Sequence, residues 1–184
     1  MAAIVWVLIA SAGLFVLVLA AVPLLALLAT LSLPRGQRPG IEKLTVTQAA
    51  ESLRAIGASG WELVDRARKL VGQRMAYCRR NSFDSYARAF ERGYGYCQQS
   101  AYALAAILRS LGFHAEAVHC ERCEFPEGRG GHAWVRVEYQ EEVRDVDPLY
   151  QAEDGVGLVF RPIGRVRVYT PFFRALSGWG CTAV

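Results

Sequence analysis

Residues 93–112 read Gly-Tyr-Gly-Tyr-Cys-Gln-Gln-Ser-Ala-Tyr-Ala-Leu-Ala-Ala-Ile-Leu-Arg-Ser-Leu-Gly, and they decide the fold. The two glycines at 93 and 95 break the chain. Behind them Ala101, Leu104, Ala105, Leu108 and Leu111 recur at helical spacing, so the stretch predicts a helix from Cys97 to Leu111 with Gly112 as its C-terminal glycine. Cys97 stands four residues before Ala101 and therefore on the helix's buried face. At that helix start, unpaired N–H groups and the positive end of the dipole favour a thiolate and can receive a developing oxyanion.

Beyond Gly112 the period changes to strand-like alternation. Strands are expected at Ala115 to Cys120, His132 to Tyr139, Val143 to Asp147 and Val166 to Tyr169. Upstream, Thr45 to Ile56 reads as a helix ended by Gly57. Ser59 reads as the N-cap of a second, from Gly60 to about Val71, with Glu62 completing a capping box. Asn81 to Arg92 gives a weaker third helix. Helices first and strands afterwards indicate an α+β domain with an antiparallel sheet.

In the strand from His132, the residues His132, Trp134, Arg136 and Glu138 share one face, and Ala133, Val135, Val137 and Tyr139 the other. A hairpin over Gln140-Glu141-Glu142 returns Val143 to Asp147 alongside. If the connection has an even residue count, Asp145 and Asp147 fall on the face of His132, with Asp147 one or two rungs away. A carboxylate there could hold one imidazole nitrogen while the other faces Cys97, as thiol acyl transfer requires. Taken singly, each residue also has a plain reading: a core cysteine, a surface histidine, a strand-ending aspartate.

Together, Gly-Tyr-Cys at 95–97, Leu-Arg-Ser-Leu-Gly at 108–112, Gly-His-Ala-Trp-Val at 131–135 and Asp-Val-Asp-Pro at 145–148 resemble the transglutaminase-like superfamily. The resemblance covers roughly Trp61 to Tyr150, about half of the chain. It implies a papain-like fold, a thioester intermediate, peptide or protein substrates and no cofactor. Cys97, His132 and Asp147 would form the triad, Asp147 being favoured over Asp145 because Pro148 follows it. Tyr77 and Trp134 are the candidate oxyanion or cleft residues. The family includes cross-linkers, deamidases, peptidases and peptide N-glycanases. The sequence departs from its usual pattern at Leu149, where Thr is common, and at Glu142-Val143-Arg144, which lacks a tryptophan. Membership alone also permits a catalytically silent scaffold in a membrane complex.

Before Arg35 there is no charged side chain, and from Met1 to Leu33 only Ser11, Thr30 and Ser32 carry hydroxyls. A span needs about 20 apolar residues, so residues 1–33 are expected to form one transmembrane helix. A cleaved signal peptide would have a basic start and a shorter apolar run. Residues 34–43, with two Pro and two Gly, read as a linker, and the resemblance makes residues 44–184 the transglutaminase-like domain. Expected partners are the substrate, membrane lipid and other membrane subunits. The formal charge of +4 is too mild for a nucleic-acid binder, and basic pairs such as Arg79-Arg80 read as solvated surface.

His119-Cys120-Glu121-Arg122-Cys123 offers three ligand types. A structural zinc would need Cys78 or Cys181 as the fourth, so no metal is expected; a redox-active pair is the other open reading, and by default the two thiols read as unrelated groups on a strand and its turn. Pro171 to Trp179 reads as core closure. Arg35, Arg38, Lys43 and Arg54 follow the apolar segment and none precedes it, which puts the domain in the cytoplasm. In sealed vesicles of known orientation, protease is expected to digest the domain from the cytoplasmic side only. Digestion from the opposite side would show that the charge rule fails for this chain.

Overall fold

The computed structural model describes residues 6, 11, 13–21, 24–25, 36–78, 85–152 and 157–169. The chain divides into two units, Met1–Pro34 and Arg35–Val184. In the first, residues 13–21 are helical, and every side chain from Leu14 to Leu19 is exposed. Most of the anchor expected over 1–33 lies outside the described residues. Among those described, no helix is long and apolar enough to cross a membrane. Residues 81–84, Pro171–Trp179 and Cys181 also lie outside them.

The second unit includes residues 36–43. Residues 36–43 form neither helix nor strand, as their Pro and Gly content predicts. Yet the Arg38 N–H donates to Arg92 O at 2.7 Å, and its guanidinium donates to the carbonyls of Gln73 at 3.0 Å and Arg74 at 3.1 Å.

Helix α1 spans Val46–Ala55. Thr45 and Gln48 cap it reciprocally, the Thr45 Oγ1 accepting from Gln48 N at 3.1 Å and the Gln48 Oε1 from Thr45 N at 2.9 Å. Helix α2 spans Gly60–Arg74 and does not form the box expected from Ser59 and Glu62. Gly60 adopts φ +57° at the first helical position, and the Ser59 side chain makes no cap bond. Glu62 pairs with Arg66 instead, at 2.7 Å. The helix continues past Val71 because its last carbonyls have tertiary donors in Arg38. Helix α3, Tyr86–Arg92, starts at a Ser85 cap and stops at Gly93 in the left-handed conformation.

Two short strands missed by periodicity, β1 (Ala76–Tyr77) and β2 (Tyr94–Gly95), pair in parallel and fix the turn before the main helix. Helix α4 spans Cys97–Ser110 and buries Ala101, Leu104, Ala105 and Leu108 completely. Its small side chains share a core with Ala115, Ala117, Ala133, Val135 and Val137 of the sheet.

The sheet contains β3 (His114–Phe125), β4 (Gly128–Tyr139), β5 (Glu142–Val146) and β6 (Arg161–Pro162), in the order β5-β4-β3-β6. The short β7 (Arg167–Val168) also pairs with β3, and every pairing in this sheet is antiparallel. The β4–β5 turn is Gln140-Glu141, both at positive φ (50° and 66°), as a two-residue hairpin favours. Strand β3 runs longer than expected and carries a bulge: Cys120 faces His132, whereas Cys123 faces Gly130. The extra residue restores Cys123 to the face of Cys120. Both thiols therefore join Val118, Trp134 and Phe160 in a second cluster.

Arg74 ties the helical layer together. It is buried, and its guanidinium donates to the carbonyls of Phe90, Glu42, Leu44 and Glu91. Arg74→Met keeps most of the stem but strands those acceptors. Denaturant unfolding is expected to show a loss of about 2–4 kcal/mol; a loss within experimental error would remove Arg74 from this role.

Candidate active site

Cys97 is the first residue of α4, preceded by Tyr96 in extended backbone. The Gln99 Oε1 accepts from Tyr96 N at 3.1 Å, which fixes that first turn. His132 follows Gly130-Gly131 on β4, and Asp147 lies one residue past the end of β5. The structure brings all three together. The His132 Nε2 meets the Asp147 Oδ2, and the Cys97 side chain lies close enough to the ring to help raise the His132 pKa.

The site is dry. Cys97 is 4% exposed, His132 6% and Asp147 0%. Aromatic edges enclose the imidazole: Phe125 at 5.5 Å, Tyr150 at 5.3 Å and Phe160 at 4.8 Å between ring centroids. Trp134 stacks on it at 6.3 Å. Burial alone would discharge the histidine. The Asp147 carboxylate and, behind it, the Cys97 side chain outweigh that effect and push His132 up to about 10. Asp147 has a second anchor, its Oδ1 accepting from Leu149 N at 2.7 Å. That bond uses backbone, so Leu at 149 serves without a side-chain hydroxyl.

Asp145 stands apart from the histidine. The two-residue turn meets the even-count condition, so both aspartates take the parity expected, but Asp145 faces Arg136 in register. It forms a bidentate pair with that guanidinium at 2.9 and 3.0 Å. Of the two expected oxyanion or cleft residues, Trp134 is wholly buried against the imidazole. Tyr77 is 43% exposed and stacks on Tyr96, the residue before Cys97, at 6.0 Å.

His119 packs on the Tyr169 ring at 4.6 Å. Among the described residues no group of three or more His, Cys, Asp or Glu side chains could hold a metal. Cys120 and Cys123 sit astride the bulge within one strand, a correction to the strand-and-turn expectation. Burial, reinforced by the Cys120 thiol, pushes Cys123 up to about 12, which leaves it protonated at neutral pH.

Sequence reading missed the aromatic enclosure and Gln151, whose Oε1 accepts from Asp147 N at 2.8 Å. No motif marks these positions. Their proximity arises from the chain folding back after Asp147, where Tyr150 O accepts from Val159 N at 3.0 Å.

Residues 47–148 match the family profile described as the transglutaminase-like superfamily. No curated protein matches the sequence significantly. Among solved structures, one described as a TGase aligns with a TM-score of 0.46 and 21% identity, over 56% of this chain and 30% of the other. A protein from Cytophaga hutchinsonii, provisionally described as a cysteine protease, aligns with a TM-score of 0.48 and 14% identity, over 76% of this chain and 55% of the other. One from Parabacteroides distasonis, provisionally described as a protease, gives 0.38 and 13%, over 62% of this chain and 30% of the other. The chain thus spans roughly a third to a half of each matched structure.

The raised His132 has a consequence for stability. Its folded value lies above the unfolded one near 6.5, so its contribution is full below that value and fades as pH rises through about 10. The difference in unfolding free energy between wild type and His132→Gln is therefore expected to shrink from pH 6 to pH 10. A difference that stays constant or grows with pH would contradict the charged His132–Asp147 pair.

Proposed function

Because the chain belongs to the transglutaminase-like superfamily through residues 47–148, we propose that it is a membrane-tethered thiol enzyme acting on peptide or protein amide bonds. The observation that carries this reading is the buried line from Cys97 through His132 to Asp147. A helix N-terminus, a strand and the loop past β5 supply its members. Cys97 is the nucleophile, His132 the general base and acid, and Asp147 the orienting group.

In the first step the Cys97 sulfur attacks the carbonyl carbon, its proton already held by the charged His132. The oxyanion lies toward the first-turn N–H groups of α4. Collapse breaks the C–N bond, the amine leaves with the proton returned by His132, and a thioester remains. Water then gives hydrolysis or deamidation; an amine gives cross-linking. Tyr77, exposed beside the Gly-Tyr-Cys turn, is the candidate wall of the cleft. No cofactor enters this chemistry.

The tether is assigned to the uncharged run 1–33, with support from the exposed apolar side chains of Leu14 to Leu19. It would confine substrates to the membrane surface and bring lipid and other membrane subunits into contact. The charge asymmetry around it favours a cytoplasmic domain.

One observation favours a second reading, a catalytically silent scaffold: Cys97 is 4% exposed and His132 6%, so the thiol has little open surface. Reaction with iodoacetamide at neutral pH separates the two. In an enzyme Cys97 reacts fastest of the five cysteines, His132→Ala slows it about tenfold or more, and Asp147→Asn lowers turnover more than Asp145→Asn does. Equal labelling of all five thiols, indifferent to His132, leaves the scaffold reading standing.

A further inference from the structure

Asp147 is anchored at three polar atoms, and only two of those anchors are side chains. One is His132 and the other is Gln151. The Gln151 amide is engaged at both ends. Its Oε1 accepts from Asp147 N at 2.8 Å, and its Nε2 donates to Gly157 O at 2.7 Å. The backbone adds an antiparallel bridge between Gln151 and Leu158 and a bond from Ala152 N to Gly157 O at 2.8 Å. One acceptor and one donor on the same planar group are what this pairing requires. Glutamate lacks the donor and leucine lacks both.

Helix α2 approaches the same turn through backbone. A Cβ built at Gly72 of α2 would collide with the carbonyl oxygen of Pro148, the residue after Asp147. Helix α2 thus walls the Asp-Pro turn while Gln151 ties it to the returning segment. That segment delivers Phe160 to the His132 ring, and Tyr150, adjacent to Gln151, also packs edge-on against the ring.

We propose that Gln151 is the positioning residue that fixes the Asp147 carboxylate against His132, coupling it to the aromatic enclosure of the imidazole, with Gly72 as its steric counterpart. The inference rests on the reading of Asp147 as the group that orients His132. A buried carboxylate aligned by a fixed amide keeps its partner charged; one that drifts by a fraction of an ångström does not.

The test follows the three histidines by NMR titration in the full-length chain labelled with ¹⁵N-histidine, together with the pH profile of Cys97 alkylation. Gln151→Leu is expected to lower the His132 midpoint by about one pH unit, equivalent to a tenfold change in its protonation equilibrium. Gln151→Met, neutral and of similar length, should lower it by a comparable amount, and Asp147→Asn more. The alkylation profile should move with the midpoint, a change that a loss of fold stability alone would not produce. Should Gln151→Leu fail to fold, Gln151→Met and Gly72→Ala carry the test, each expected to lower the same midpoint. If Asp147→Asn lowers the midpoint while the Gln151 variants that fold leave it unchanged, the positioning role is overturned and the triad stands. If Asp147→Asn leaves it unchanged as well, the triad reading falls and the inference falls with it.

Discussion

A carboxylate with no exposed surface meets an imidazole with almost none, and much of the sheet's geometry serves that contact. Taking either charge out of water is costly unless a partner and further hydrogen bonds compensate. Asp147 therefore needs His132 on one oxygen and the Leu149 N–H on the other. His132 needs Asp147 to remain charged within a ring of aromatic edges. Break either contact and the second charge is left in an apolar pocket, so the pair constrains the hairpin, the loop after it and the strand opposite.

The hairpin satisfies this constraint through parity. A two-residue turn at Gln140-Glu141 sets Val135 against Val146, and Asp147 emerges one step further, diagonal to His132. A turn with one more residue would shift the pairing and turn the aspartate to the other face. The bulge in β3 works on the same principle. Cys120 and Cys123, three apart, would face opposite sides of a regular strand, and the inserted residue returns both to the side of His132 and Trp134. The enclosing layer of sulfur and aromatic side chains beside the imidazole depends on it.

The helical layer bears on the same contact from the other end. The parallel bridge of Ala76–Tyr77 with Tyr94–Gly95 sets where α4 begins, and so where the thiol sits. Arg74 gathers the ends of α2 and α3 with the chain entering α1 through backbone carbonyls alone. Gly72 lets α2 approach the Asp-Pro turn closely. Cys97 and His132 thus lie on different layers, each braced by contacts distant in sequence.

The sequence by itself determined much of this protein: a helix beginning at Cys97, the alternating strand from His132, the order of helices before strands, and a third group within reach of the histidine. These follow from period and from glycine, which act over a few residues and are legible in one dimension. It also carried the uncharged run 1–33, whose role as an anchor is a proposal. Tertiary structure decided the rest. Asp145 and Asp147 have the same parity and differ only in what stands opposite, Arg136 for one and His132 for the other. Ser59 lost its cap bond at a left-handed Gly60, α2 ran on because Arg38 reached its last carbonyls, and Gln151 met Asp147 because the chain doubled back. Each outcome turns on a partner supplied by another segment, or on a backbone angle set by packing, and residue spacing does not encode either.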